Sequence, residues 1–360
     1  MNILAIDLGK FNSMFCFFDS SSQSAEFLQA ATSRSYFLSV LKNRPVDLVV
    51  MEACGPSGWV KDLCEELQIP TIVCSTNEEA WRWKNVKRKT DRDDALKLAR
   101  LAAMNHLKPT HVPSQAMREY RTLVKYRKTI VRRINRIKNS IRSLFANRGI
   151  EISRGARTWH TGRAFLYEQR KSLDQCAMTE LWRGQLDLEL TQLEALEAQL
   201  ETAEQRLAVI AQDDPRVQRL QRIPGVGPRT AEVIVTAIDD PHRFQTAGQV
   251  SAYAGLVPRQ YQSGETDRRG RITKRGSQLL RTMLVENAWC LLRYNSWAQA
   301  TYLRICGGQK TRRKKAGVAL ARKLLVVAWA MLRDETEWDE EKMKRTRRRF
   351  ARQGSKPIPC

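Results

Sequence analysis

The sequence predicts an α/β sheet domain, then a long helical connector, then a mainly α-helical domain. Three observations predict it. Short apolar runs alternate with helical patterns over the first part of the chain. Leucines then fall seven apart after residue 180, and beyond residue 220 helical stretches are separated by glycine-rich turns.

The elements follow in order. Ile3-Leu4-Ala5-Ile6-Asp7 reads as a buried strand ending in a carboxylate, and Met14-Phe15-Cys16-Phe17-Phe18 follows at hairpin spacing after Gly9 and Asn12. Ser33 to Leu41 fits a helix. Asp47-Leu48-Val49-Val50-Met51-Glu52 is a second buried strand that ends in a carboxylate, Gly58 to Leu67 is helical in pattern, and Thr71-Ile72-Val73-Cys74 is a third apolar strand. Strands first, then strand and helix in alternation, fit a sheet of the ribonuclease H type.

From Met117 to Phe145 one long helix is expected, with Leu123, Tyr126, Ile130, Ile134, Ile137, Ile141 and Leu144 forming one apolar stripe. Residues 149–176 read as a connector rich in Gly, Arg and Ser. Leu186, Leu193, Leu200 and Leu207 then mark about three and a half heptads, which fit a coiled coil between two protomers or, second in order, a helix packed within its own chain. At Ile223-Pro224-Gly225-Val226-Gly227-Pro228 the chain turns into a helix over Thr230–Ala237. A Gly-Val-Gly turn lets backbone N–H groups approach a phosphate, as in a helix-hairpin-helix, although a tight turn without a ligand has the same spelling. Helices resume near Ser277–Tyr294 and Val318–Leu332. The expected domains are 1–148, 149–220 and 221–333, with a mobile charged tail at 334–360.

Composition narrows the function. The chain has 360 residues, enough for two or three cores, and its 42% apolar content excludes a disordered polypeptide. No apolar run reaches the roughly 18 residues of a membrane span. The start, Met1-Asn2-Ile3-Leu4, has no basic region ahead of an apolar stretch, so the expectation is a cytoplasmic, nucleoid-associated protein without a signal peptide. Eight cysteines stand at 16, 54, 64, 74, 176, 290, 306 and 360. None forms a Cys-x-x-Cys pair and the four histidines lie far from them, so reduced thiols are expected rather than zinc or disulfides.

The net charge of +24 favours polyanionic partners, and its distribution is more informative than its total. Residues 1–80 carry −5, 81–150 carry +16, 151–220 carry −3, 221–333 carry +14 and the tail +2. In the first basic block Arg121, Lys125, Lys128, Arg132 and Arg136 interleave with the apolar stripe. A charge run is ordinarily a solvated face. Acidic partners at i±4 are nearly absent here, and that favours a nucleic-acid backbone.

Three acidic positions stand out. Asp7 and Glu52 each close an apolar strand, and Lys89-Thr90-Asp91-Arg92-Asp93-Asp94-Ala95 opens a helix on which Asp91 and Asp94 share a face. Four carboxylates in one pocket repel unless hard cations neutralise them. Mg2+ takes carboxylate oxygens together with substrate phosphates, and two such ions can clamp both oxygens of a phosphoryl transfer. Helix geometry selects Asp94 over the neighbouring Asp93, which at i+2 faces away from Asp91. A second constellation surrounds Ser263-Gly264, followed by Arg268, Arg269, Arg271, Lys274 and Arg275. By chemistry alone that Ser-Gly is an ordinary turn in a loop.

The segments Ile6-Asp7, Met51-Glu52-Ala53-Cys54-Gly55, Lys89-Thr90-Asp91 with Asp94-Ala95, and Ile223-Pro224-Gly225-Val226-Gly227 occur in that order. They are followed by Gly255-Leu256-Val257-Pro258 with Ser263-Gly264, Gly270-Arg271-Ile272-Thr273-Lys274-Arg275-Gly276 and Leu280-Arg281. Together they resemble the DEDD-type insertion-sequence transposases, a family of bridge-RNA-guided serine recombinases, over about 1–145 and 220–333. The resemblance implies a RuvC-like domain, a coiled-coil connector and a transposase domain bearing a nucleophilic serine. It implies that Asp7, Glu52, Asp91 and Asp94 bind Mg2+ and that Ser263 forms a transient phosphoserine link to DNA. It implies donor and target DNA and an element-encoded guide RNA as partners, with active sites assembled between protomers of a dimer or tetramer.

Rival readings make different demands. A RuvC-like structure-specific nuclease uses the same acids with a metal-activated water and has no use for Ser263. An actin-fold sugar kinase or ATPase fits Ile6-Asp7-Leu8-Gly9 but gives Asp91 and Asp94 no role. A non-enzymatic nucleic-acid binder needs none of the acids.

Overall fold

Apolar alternation builds the first sheet and covers both of its faces. β1 (Asn2–Asp7) directs Leu4 and Ile6 into one core and Ile3 and Ala5 into another on the opposite face. The computed structural model describes residues 1–75, 90–263 and 266–341, with the backbone alone at Arg269. Lys89, Gly264 and the basic tail Lys344–Arg352 lie outside the described residues. The chain divides into two compact units, 1–118 and 119–360.

In the first unit β2 (Asn12–Asp19) and β3 (Ala25–Ala31) extend the sheet antiparallel to β1, while β4 (Leu48–Glu52) and β5 (Thr71–Cys74) extend it parallel, in the order β3-β2-β1-β4-β5. One face packs Phe15, Val49 and Met51 against Phe37 and Leu41 of α1 (Arg34–Asn43) and Val60 and Leu63 of α2 (Ser57–Glu66). The other packs Met14, Cys16 and Val50 against Ala95, Leu98, Ala99 and Ala102 of α3 (Asp91–Ala103). β3 is the strand that pattern reading does not anticipate. Only Ala30 of its seven residues is buried, so this edge strand shows no apolar alternation.

Two long helices open the second unit's architecture. Ile130, Ile134, Ile137, Ile141, Leu144 and Phe145 of α4 (Gln115–Ala146) bury themselves against Leu186, Leu190, Leu193, Leu196 and Ala203 of α6 (Leu181–Asp213). The pairs Arg127–Glu204, Lys138–Glu197 and Ser140–Glu189 run in opposite senses along the two helices, which are therefore antiparallel. The leucine stripe preferred above for a protomer seam is instead spent inside the chain, because α4 offers a complementary isoleucine stripe that the heptad count alone does not reveal. The connector between them contains α5 (Arg163–Glu168), whose Leu166 enters the same core.

The rest is helical apart from one ribbon. α7 (Pro215–Gln221), α8 (Pro228–Ile238) and α9 (Ala247–Tyr253) precede β6 (Pro258–Ser263) and β7 (Thr266–Ile272). α10 (Gln278–Tyr294), α11 (Ser296–Cys306) and α12 (Arg313–Arg333) follow. α12 is the best-buried of these last three, with Ala316, Leu320, Ala321, Leu324, Leu325 and Ala328 wholly enclosed. Among the described residues no helix is long and apolar enough to cross a membrane.

Candidate functional site

Strand register sets the first part of the site. β1 and β4 pair in parallel with Ile6 opposite Met51, so Asp7 and Glu52 are the next residues in register and emerge side by side at the ends of adjacent strands. Both are partly buried. α3 packs against β1, β2 and β4, and its Asp94 is one of the few buried acids. Lys97, one turn further along α3, feels both groups. Burial pulls its amine below the usual range, while the carboxylates of Asp94 and Glu52 oppose that shift. Burial likewise raises the Cys54 thiol, with Glu52 and Asp7 adding to the effect. Asp7, Glu52 and Asp94 thus bear on one sheet end, whereas Asp91 sits exposed as the first residue of α3.

The third acid of that segment has a separate task. Asp93 donates its backbone N–H to the Thr90 hydroxyl at 3.2 Å, and that hydroxyl donates to the Asp93 carboxylate at 2.7 Å. This closes the N-terminus of α3 and leaves Asp94 to face the sheet. The donors are all hard carboxylate oxygens, the chemistry that suits Mg2+. Among the described residues, no three His, Cys, Asp or Glu stand close enough together to hold a metal ion as they are. The donor set fits by type, with Lys97 bringing a positive charge to the same carboxylates. Its i+3 spacing from Asp94 is the signal by which sequence alone could have set Lys97 beside that carboxylate.

Ser263 belongs to the second unit. It closes β6, where it pairs with Thr266 across a two-residue connection, so it stands at the tip of a β-ribbon rather than in an irregular loop. Residues 259–263 of β6 are exposed, as are Arg268 and Arg271 on β7 and Lys274 and Arg275 beyond it. A two-stranded ribbon with no apolar face is marginal alone. Its base is what holds it. Arg281 donates through Nη1 to the carbonyls of Ala254, Arg275 and Gly276 at 3.2, 2.9 and 3.0 Å. Gly255 and Gly276 both have positive φ, and a Cβ there meets the Arg275 and Tyr253 carbonyl oxygens at 2.1 and 2.0 Å. Polar strands hid the ribbon from pattern reading, and so they hid the purpose of Arg281.

The expected nucleic-acid residues divide by environment. Lys125, Arg132 and Arg136 are exposed on α4 and Lys128 is half-buried. Among the described residues none of these four has a carboxylate partner. Arg121 is different. Its guanidinium donates to the carbonyls of Thr236 and Ala237 near the end of α8. In the turn between α7 and α8, Gly225 has φ +91°, and its carbonyl accepts from Asn287 of α10 at 2.7 Å. Gly227 caps α8 with open space where a Cβ would stand.

Two family models match the stretches that contain these residues. A model of DEDD transposases of the IS110 type matches residues 4–147, which include Asp7, Glu52, Asp91 and Asp94. A second, described as "Transposase IS116/IS110/IS902 family", matches residues 217–303, which include Ser263 and Arg281. The chain is 28% identical over 346 residues to "Transposase for insertion sequence element IS1111A" of Coxiella burnetii, covering 93% of this chain and 91% of that one. It is 29% identical over 316 residues to "Probable family 20 transposase" of Pseudomonas aeruginosa, covering 86% and 89%. It is 30% identical over 126 residues to "Pilin gene-inverting protein" of Moraxella bovis, covering 35% and 39%. Both family matches and these relatives support an IS110-family DEDD transposase, an enzyme that cleaves and recombines DNA.

Proposed function

We propose that the chain exchanges DNA strands through a transient bond between Ser263 and a DNA phosphate, with Asp7, Glu52, Asp91 and Asp94 holding Mg2+. On this reading an RNA encoded by the element selects donor and target DNA. The observation that carries the proposal is the register of β1 and β4, which sets two carboxylates side by side beside the helix bearing Asp94. A DEDD family implies use of a divalent metal. When bound, such an ion polarises the scissile phosphate and stabilises the charge that develops on it.

The chain's own residues do the rest. The Ser263 oxygen bonds to phosphorus as the bond from phosphorus to a deoxyribose oxygen breaks. The hydroxyl proton leaves to solvent, and the released deoxyribose oxygen takes one up. Attack by an incoming deoxyribose hydroxyl then breaks the serine ester and joins the new strand, conserving the phosphodiester. Exposed Arg268 toward the tip and Arg271 toward the base, with Arg269 in the same strand, neutralise flanking phosphates. Lys274 and Arg275 do so at the ribbon's base, and Lys125, Lys128, Arg132 and Arg136 track a backbone along α4. The open approach at Gly227, with Gly225 shaping the turn, admits a further phosphate. Joining two duplexes requires more than one serine, and hence a homo-oligomer.

The test uses nicked suicide substrates that trap covalent protein–DNA adducts. The parent protein accumulates a divalent-ion-dependent adduct; Ser263→Ala forms none yet still binds the guide RNA, and Asp7→Asn and Asp91→Asn lose the adduct as well. A Ser263→Ala protein that cuts DNA at the parental rate replaces this reading with that of a nuclease using water.

A further inference from the structure

The basic turn that leads into α12 is used by none of the chemistry above. Between Glu286 and Asp334 the chain carries ten Lys and Arg and no acid. Five of those cations, Lys310, Arg312, Arg313, Lys314 and Lys315, fall within six residues, and all five are exposed. Among the described residues none of them has a carboxylate partner. They also lie beyond the segment 217–303 that the family model matches.

Folding gives this cluster no local compensation. Arg313, Lys314 and Lys315 occupy the first turn of α12, which contains no acid, although the positive end of a helix dipole disfavours cations there. At the other end of the same helix Arg333 sits where the dipole favours it and pairs with Asp334 at 2.7 Å. Charge crowding of this kind is relieved by a polyanion.

The cluster is also held in place. Gly307 and Gly308 turn the chain through positive φ. Gly307 N–H donates to the Leu303 carbonyl at 2.9 Å, Gln309 N–H to that of Cys306 at 3.1 Å and Arg312 N–H to that of Gln309 at 3.1 Å. Immediately after Lys315, α12 enters the core at Ala316, and Gly317 lies so close to the Trp289 ring that a Cβ would come within 2.8 Å of it. Cations fixed to a packed helix lose little freedom on meeting an extended ligand.

We propose that Lys310–Lys315 is a further docking site for the phosphate backbone of duplex DNA, in addition to the ribbon and α4. DNA is the polyanion on which this enzyme acts, and the site reads charge rather than sequence.

The experiment measures the full-length protein by fluorescence anisotropy, on duplex DNA of unrelated sequence and on RNA of equal length, across a salt series. One variant combines Lys310→Gln, Arg312→Gln, Arg313→Gln, Lys314→Gln and Lys315→Gln; a second carries Lys314→Glu alone and keeps the test readable if the first fails to fold. Each phosphate contact contributes about 0.9 to the slope of log affinity against log salt, so the combined variant, which loses about three to five such contacts, is expected to show a slope shallower by about 3 to 4.5. Its affinity for duplex DNA falls at least about tenfold near 0.1 M salt, and Lys314→Glu falls about threefold or more. The melting temperature stays the same or rises, because the first turn of α12 sheds an opposing charge. A loss larger on RNA than on duplex DNA, or absent from both, overturns the proposal.

Discussion

The sheet end that bears Asp7 and Glu52 and the ribbon that bears Ser263 are built on opposite principles. Asp7 and Glu52 extend strands whose preceding residues, Ile3 to Ile6 and Val49 to Met51, are at most 1% exposed and packed from both faces. Their separation is dictated by strand spacing and is as rigid as the core. Ser263 ends a strand with no core of its own, fixed at its base by three hydrogen bonds from one guanidinium and by two glycines that admit no side chain. A carboxylate pair needs fixed geometry to gather a cation. A serine with no core around it takes its position from the base of its ribbon instead.

The sharpest way to break this comparison is at the ribbon's base. Gly276→Ala forces a Cβ to within 2.0 Å of the Tyr253 carbonyl oxygen in a left-handed backbone conformation, and Gly255→Ala makes the matching clash with Arg275. Arg281→Ala leaves three carbonyls without their charged donor, at a cost of about 1–3 kcal/mol. Each of these variants is expected to lower strand exchange by tenfold or more, measured as recombinant product per unit time. Divalent-ion binding by the isothermal heat signal stays as in the parent. Arg281→Lys recovers part of the rate, since an ammonium reaches fewer than three acceptors at once. If all three variants exchange strands at the parental rate, the ribbon's base has no part in placing Ser263.

A smaller effect separates the rigid site's own parts. Lys97 stands within the electrostatic reach of Asp94 and Glu52, so it offsets carboxylate repulsion when no metal is bound. Lys97→Gln removes that relief. In chelator the variant is expected to melt no lower than the parent, because burial disfavours the ammonium more than the two carboxylates favour it, while added Mg2+ stabilises the variant by more than it does the parent. Thermal melts with and without the ion read this directly. Equal ion-induced shifts in the two proteins place Lys97 outside the carboxylates' influence.

The same contrast explains what could be read from residues alone. β1, β4 and β5 announce themselves because buried parallel strands are unbroken apolar runs, and the acids that end β1 and β4 follow at once. α4 and α6 are equally plain from their periodicity, but not that each is the other's partner, since one stripe of leucines looks the same whether it meets a copy of itself or the isoleucines of a neighbour. The ribbon was hidden because Arg259, Gln260, Tyr261, Gln262 and Ser263 show no alternation for the eye to follow. The double hydrogen bond that gives Asp93 to the cap of α3 was within reach of the spacing from Thr90, three residues earlier. Arg121 belongs to a basic run in sequence and to a helix's carbonyl ends in space, a difference that only the fold around α8 can draw.

The least of the expected effects concerns a carboxylate that, unlike Asp7 and Glu52, faces inward. Glu232 on α8 is only 1% exposed and pairs with Arg229 at 2.8 Å, yet burial outweighs that partner and raises its pKa above the ordinary glutamate range. A folded-state value above the unfolded one means that the native form holds this proton more tightly. Its contribution to stability is therefore complete below the unfolded value and is lost as pH rises through the folded one. Glu232→Gln cannot titrate, so the parent is expected to lose stability relative to this variant as the pH climbs from the glutamate range toward neutrality. Chemical denaturation at a series of pH values reads the difference, which cancels the titrations the two proteins share. A difference that does not change with pH shows that Arg229 fully offsets the burial, and that an inward-facing carboxylate in this fold is as well satisfied as those at the sheet end.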